Sequence, residues 1–362
     1  MRILIITYQG DVSGATNSLI YLSKGLAKKG HQIYVGCRKE SLLFKNLQGS
    51  EVQVLPIEFR RKFDYKNIRQ LRKIIIQYQI EIINAQSSWD RYSSILVRWC
   101  YRLKVKVVHT RRQTPMSMGG FFQNFLYIHG TDKIIAVSKG VKNDLEKLGI
   151  PSSHIKVIHN GTPKGKYEFL DQNFIKKLKE KFDINSEDFV IGCVSRLKKQ
   201  VQILQALNQI KRNVKVIFVG IENNPDFQEI ISKYPSDHKI FFEGNIPDTV
   251  VLNYFKIFDT HILASTMEGL SQSMLEAMAL EVPVIATAAA GNLDLVKDGE
   301  NGLLFEDGNI EQLAENINLL MSNQQIRNSL SEKAKRTALE EFSIDRTIEK
   351  YEDFFNELLN EK

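Results

Sequence analysis

Short apolar runs alternate with amphipathic, helix-period stretches from one end of this 362-residue chain to the other. Runs at residues 2–7, 32–37, 52–56, 80–85, 104–109, 133–137 and 155–158 read as strands, with helical patterns such as Asn17 to Lys29, ended by Gly30, and Lys66 to Tyr78 between most of them. The series resumes at 189–194, 214–219, 239–243, 259–264 and 283–287. Strands separated by helices cannot pair as hairpins; they make parallel sheets covered on both faces. Between the two series, Asn160-Gly161-Thr162-Pro163-Lys164-Gly165 breaks regular structure before a charged helix. The expectation is therefore an α/β protein of two Rossmann-like, doubly wound domains, 1–163 and 164–343, facing across a cleft, with a helical tail at 344–362. Ligands of such sheets bind at the carboxyl ends of strands, so the cleft is the expected active site.

The net charge of +7 conceals an asymmetry. Residues 1–165 hold 27 Lys+Arg against 10 Asp+Glu, whereas residues 166–362 hold 22 against 32. Three cysteines, Cys37, Cys100 and Cys193, are odd in number and widely spaced, which suits buried thiols in a reducing compartment rather than a disulfide frame or metal site. The amino terminus reads as a first strand and no apolar run reaches the ~18 residues of a membrane span, so the expected location is cytoplasmic.

The chemistry concentrates in residues 263–308, where Glu268 and Glu276 flank a strand-to-helix turn. The N–H groups of Gly269, Leu270 and Ser271 are placed to meet a phosphate at a helix N-terminus, and a carboxylate one turn in can accept from two ribose hydroxyls. On spacing alone the competing reading is a capping box, Ser273-x-x-Glu276, in which Glu276 folds back on the cap. Glu268-Gly269-Leu270-Ser271, then Leu275-Glu276-Ala277-Met278-Ala279, Pro283-Val284-Ile285-Ala286-Thr287, Gly291-Asn292 and Asp298-Gly299-x-Asn301-Gly302-Leu303-Leu304 together resemble the retaining, family-four group of GT-B glycosyltransferases. Ile135-Ala136-Val137-Ser138-Lys139, Ile158-His159-Asn160-Gly161 and Gly192-Cys193-Val194-Ser195-Arg196-Leu197 extend the resemblance. It implies that Glu276 holds the donor ribose, that Glu268 faces the donor sugar, that Gly269 to Ser271 lie along sugar and diphosphate, and that the last helix, Ile344 to Leu359, crosses back onto the first domain.

The resemblance also implies an Arg and a Lys that neutralise the donor diphosphate. Arg196 matches; for the Lys, the shortened Lys198-Lys199-Gln200 leaves Lys199 the better candidate and Lys198 the second, against the alternative of two solvated cations. Cations near a leaving phosphate lower the barrier to breaking a sugar-to-diphosphate bond. Asp-x-Asp and Gly-x(4)-Gly-Lys-Ser/Thr occur nowhere, so neither a catalytic metal nor ATP hydrolysis is expected, and no cofactor.

Near the start, Asp11 to Thr16 lies where the resemblance puts a Gly-rich loop approaching the donor, but only Gly14 remains there; a plain capped turn weighs equally. On the acceptor side the family's His motifs are replaced by Asn84-Ala85-Gln86 and Thr110-Arg111-Arg112, with His109 just before. His109 is the candidate to orient or deprotonate the attacking hydroxyl, its alternative being a wall residue; Gln86, Arg111 and Arg112 suit an acceptor bearing phosphate or carboxylate. Glu281 and Ala290 stand where the family prefers Gly, which bears on loop geometry.

Two stretches of the basic half bear on membranes. Phe59 to Tyr65, with Lys62 and Phe63, followed by Lys66, Arg69, Arg72 and Lys73, interleaves cations and aromatics as a face for anionic lipid, or else is a solvated helix face. Gln113 to Ile128, with Met116, Met118, Gly119, Gly120, Phe121, Phe122 and Phe125, is either a lip over a lipid-linked acceptor or a packed helix. Nothing supports nucleic acid as a partner. The expected function is metal-independent transfer of a sugar from a UDP- or GDP-type donor to an envelope glycan or lipid-linked saccharide, with retention, at the inner face of the cytoplasmic membrane. An epimerase or hydrolase of the same fold, or a non-catalytic nucleotide-sugar-binding module, are the alternatives.

Overall fold

A computed structural model describes residues 1–11, 13–61, 64–113, 120–233 and 237–361. The chain divides into two compact units, Met1–Gly161 with Ile344–Lys362, and Thr162–Ser343.

The first unit is built on β1 (Arg2–Ile6), β2 (Gln32–Cys37), β3 (Gln53–Pro56), β4 (Ile82–Ala85), β5 (Lys106–Arg111), β6 (Lys133–Ala136) and β7 (Ile155–Val157). They form one parallel sheet in the order β3-β2-β1-β4-β5-β6-β7. Successive residues of a strand face opposite ways, so Ile3 and Ile5 enter the core on one side while Leu4 and Ile6 enter the core on the other. Both faces are covered, which is why these strands read as unbroken apolar runs. The helix Ile344–Asn360 belongs to this unit and packs on the helix Gly14–Lys28. The contact needs Gly25, where a Cβ would lie 2.0 Å from Ile348 Cδ1, and it is rimmed by Glu352, which pairs with Lys29 and hydrogen-bonds His31 Nε2.

The second unit holds β8 (Val190–Val194), β9 (Lys215–Val219), β10 (Lys239–Glu243), β11 (Thr260–Leu263), β12 (Val284–Thr287) and β13 (Leu303–Phe305), all parallel in the order β10-β9-β8-β11-β12-β13. This is the dinucleotide-binding order, in which the chain reverses direction across the sheet between its first and fourth strands. Three differences from the sequence reading have physical causes. The edge strand β13 pairs Leu303 with Ile285 but is too short, between two turns, to give a period. β5 begins two residues later than expected because Arg102, at φ +49°, closes the preceding helix in the left-handed region and spends Leu103 and Lys104 on the turn. β5 also runs on to Arg111, so His109 lies inside the strand, opposite Ala85 and Ile134, rather than at its end. Cys37 and Cys193 are buried free thiols as expected, whereas Cys100 is exposed on the outer side of its helix.

Candidate functional site

At the switch point of the second sheet, the loops that leave β8 and β11 converge. After β8 the chain runs through Ser195 to Gln200, and the Gln200 amide, wholly buried, fixes that loop. Its Nε2 donates to Ser195 Oγ at 2.7 Å and to the Arg196 carbonyl at 2.9 Å, while its Oε1 accepts from the Lys198 N–H at 2.6 Å. The Lys199 N–H donates to the Ala264 carbonyl at 3.2 Å and so ties this loop to the end of β11.

The turn after β11 is held from the other side. Asn292 Nδ2 donates to the carbonyls of Ser265 and Thr287 at 3.1 and 3.0 Å, and the Gly291 N–H donates to the Glu268 carbonyl at 3.1 Å. A Cβ on Gly291 would fall 1.7 Å from the Gly269 carbonyl oxygen, so only glycine allows this approach. Ser271 then caps the helix Gln272–Ala279, its hydroxyl accepting from the Met274 N–H. The cap is two residues earlier than the Ser273 capping box requires. Glu276 therefore falls beyond the third helical position and cannot fold back on the cap; its carboxylate instead meets the ammonium of Lys166. Among the described residues the N–H groups of Gly269, Leu270 and Ser271 have no backbone acceptor.

The two carboxylates thus each face a lysine. Lys198 reaches Glu268, whose side chain is 13% exposed, and Lys199 turns aside to Asp307. Arg196 is exposed beside them. Burial, with Arg196 adding its charge and Cys193 opposing, pushes the Lys198 ammonium down to about 8. Lys166, Gln200, Gly291 and Asn292 had no individual role in the sequence reading. Gly291-Asn292 was visible as part of the matched segment, but Lys166 sits in a charged run with nothing local to distinguish it.

The other candidates lie in the first unit. Gly14 opens the helix Gly14–Lys28, which Ser13 caps. Gln86 follows β4, Arg111 ends β5 and donates from Nε to the Gln113 carbonyl at 2.9 Å, and Arg112 comes next. Arg112 Nε donates to Gln86 Oε1 at 2.9 Å. His109 is 0% exposed, its Nδ1 is 3.1 Å from the Ala85 carbonyl, and burial with Arg91 and Arg111 nearby holds it well below the usual imidazole range. It is a neutral side chain inside the wall.

Asp90 anchors the turn after β4. It accepts from the N–H groups of Tyr8, Gln86 and Ser87, and burial pushes it up to about 6. Of the proposed lip, Met116, Met118, Gly119 and the Phe122 side chain lie outside the described residues. Phe121–Gly130 is a helix with Leu126 and Tyr127 buried and Phe121 exposed. Lys62 and Phe63 also lie outside them; Phe59 is buried, and Lys66, Arg69, Arg72 and Lys73 form an exposed face of the helix Tyr65–Gln77. Among the described residues no helix is long and apolar enough to cross a membrane.

Two parallel doubly wound sheets, with a cationic loop meeting an acidic strand-to-helix turn at the switch point of the second, define the GT-B class of glycosyltransferase fold. Residues 12–164 match the family described as Glycosyltransferase Family 4, and residues 174–337 match Glycosyl transferases group 1. The chain belongs to this group and is a glycosyltransferase. It is 26% identical to the putative glycosyltransferase EpsD of Bacillus subtilis, over 83% of this chain and 84% of that one. It is also 26% identical to the capsular polysaccharide biosynthesis glycosyltransferase CapM of Staphylococcus aureus, over 82% and 83%. The Anabaena protein Alr3699/HepE in complex with UDP shares the fold at a TM-score of 0.84, with 21% identity over 99% of this chain and all of that one.

Proposed function

We propose that the protein transfers a sugar from a UDP- or GDP-type nucleotide-sugar to a hydroxyl of an envelope glycan or lipid-linked saccharide, with retention of configuration and without a resident metal. The observation that carries this reading is the pairing of Glu268 with Lys198 beside the capped helix that bears Glu276. Glu276 accepts from the ribose hydroxyls, taking up the bonding capacity that Lys166 now occupies. The N–H groups of Gly269 to Ser271, with Arg196 and Lys198, face the diphosphate. Lys198, on Glu268, is the better placed of the two lysines; Lys199 supports the loop through Asp307.

As the bond from sugar to diphosphate breaks, positive charge grows on the sugar and negative charge on the departing phosphate. Arg196 and Lys198 stabilise the second and Glu268 the first. The acceptor oxygen attacks from the face the diphosphate leaves, and its proton departs with that phosphate, giving glycoside and nucleoside diphosphate. His109, buried and neutral, serves the wall in this scheme rather than the proton. The related chain named for capsular polysaccharide biosynthesis supports a glycan acceptor, and the UDP and UDP-glucose complexes of the Anabaena protein support a uridine donor. The exposed Lys66, Arg69, Arg72 and Lys73 support peripheral contact with anionic lipid.

A thermal-shift screen against UDP, GDP, ADP and CMP and their sugar conjugates tests the donor, since a ligand of the folded form raises the melting temperature. One nucleotide family stabilises the wild type and fails to stabilise Glu276→Ala. Stabilisation by none, or equally of both proteins, overturns the assignment. Turnover without any acceptor would mark a hydrolase or epimerase instead.

A further inference from the structure

The carboxyl edge of the first sheet holds a cation that the donor site leaves unused. The order of that sheet reverses between β1 and β4, so the loop after β1 and the turn after β4 converge there, as their counterparts do in the second unit. Gly10, Ser13, Thr16, Gln86 and Arg112 line one recess. Ser13 caps the 15-residue helix Gly14–Lys28, whose leading N–H groups and positive dipole end lie at this recess. Arg112 enters from beyond β5 and donates from Nε to Gln86 Oε1 at 2.9 Å and from Nη1 to Asn160 Oδ1 at 3.1 Å. Both acceptors are neutral amides.

Arg112 Nη2 is buried and has no acceptor among the described residues. Gln86 is 8% exposed, and its Nε2 is likewise buried without an acceptor. Both orphaned groups are donors. The carboxylate nearest Gln86 in sequence, Asp90, is occupied by the backbone of Tyr8, Gln86 and Ser87. Leaving a buried guanidinium uncompensated costs several kcal/mol, and two unmet donors beside a helix N-terminus complement the oxygens of one anion. We propose that this recess is an oxyanion site: it takes a phosphate or carboxylate group of a substrate on Arg112 Nη2 and Gln86 Nε2, with the helix N-terminus supplying the field. The word substrate rests on the glycosyltransferase reading; the anion chemistry rests on the recess alone. The anion is carried either by the acceptor or by the donor's diphosphate.

Calorimetric titration of the full chain with inorganic phosphate, at constant ionic strength maintained with chloride, tests the site. Wild type binds phosphate saturably, and Arg112→Gln weakens it at least about tenfold, the loss expected of a charge-assisted contact. Arg112→Lys, which keeps the charge but not the fork, recovers part of the affinity. Gln86→Leu is the second variant, compared at matched melting temperature, and weakens phosphate by a smaller factor. Glu276→Ala leaves phosphate binding intact, so a failed donor assignment shows as phosphate binding without nucleotide binding. If Arg112→Gln leaves nucleoside diphosphate affinity unchanged and raises the acceptor KM, the acceptor carries the anion; if nucleoside diphosphate affinity falls with that for phosphate, the donor carries it. Absence of saturable phosphate binding, or equal affinity in wild type and both weakened variants, overturns the proposal.

Discussion

Glu281 and Ala290, noted in the sequence as departures from glycine, adopt φ of +61° and +48°. A side chain in the left-handed region costs roughly 1 kcal/mol, part of which glycine gives back in unfolded-state entropy. Glu281→Gly is therefore expected to raise stability by up to about 0.5 kcal/mol in urea unfolding, the exposed pair with Lys335 contributing little. Asp90→Ala acts in the opposite direction. It orphans three backbone N–H groups and should cost about 2–3 kcal/mol by the same measurement. In the proposed donor site, Lys198 sets a pH dependence. Its ammonium attracts the diphosphate only while protonated, and with its proton held to about pH 8, nucleotide affinity should fall as pH rises through that value. Lys198→Arg stays charged and should flatten the profile in calorimetric titrations at pH 6 to 10. These residues were legible to different degrees. Glu268, Glu276 and Arg196 stand in a long ordered match, whereas the choice between Lys198 and Lys199 turns on where two adjacent ammonium groups point, which spacing does not encode.

At the scale of elements, the donor turn is a loop clamped between β11, β12 and the Gly291-Asn292 step. Gly291→Ala places a methyl against the Gly269 carbonyl and should displace the N–H groups of Gly269 to Ser271. The expected result is loss of nucleotide-induced thermal stabilisation together with a lower melting temperature of the unliganded protein. A wild-type response would mean the loop yields without consequence. The last helix and the first helix meet through Gly25 in the same close manner. Strand and helix identity was readable because strands buried on both faces leave unbroken apolar runs and amphipathic helices leave a period. Boundaries were less so. The helix cap at Ser271 rather than Ser273 was decided by which hydroxyl the folded turn brings to the Met274 N–H, and the edge strand β13 exists only because β12 offers it a partner.

For the whole molecule, the excess of cations in the first half and of carboxylates in the second confines the proposed contact with anionic lipid to one part of the chain and makes it salt-dependent. Co-sedimentation with phosphatidylglycerol vesicles should fall as salt rises and should be lost in a double variant, Arg69→Glu with Lys73→Glu; undiminished binding in that variant would locate the contact elsewhere. The sequence by itself determined the α/β class, the two parallel sheets and the acidic strand-to-helix turn, because parallel-strand burial and an ordered motif are properties of neighbouring residues. Only tertiary structure decided that Lys198 meets Glu268, that Lys166 meets Glu276, that His109 is sealed in a wall, and that Arg112 and Gln86 present unmet donors at one helix end. The first and the last depend on loops from separate strands converging where a sheet reverses its order, while His109 is enclosed by its neighbours in the sheet and Lys166 arrives from the turn Lys164–Tyr167; all four are set by topology rather than by spacing along the chain.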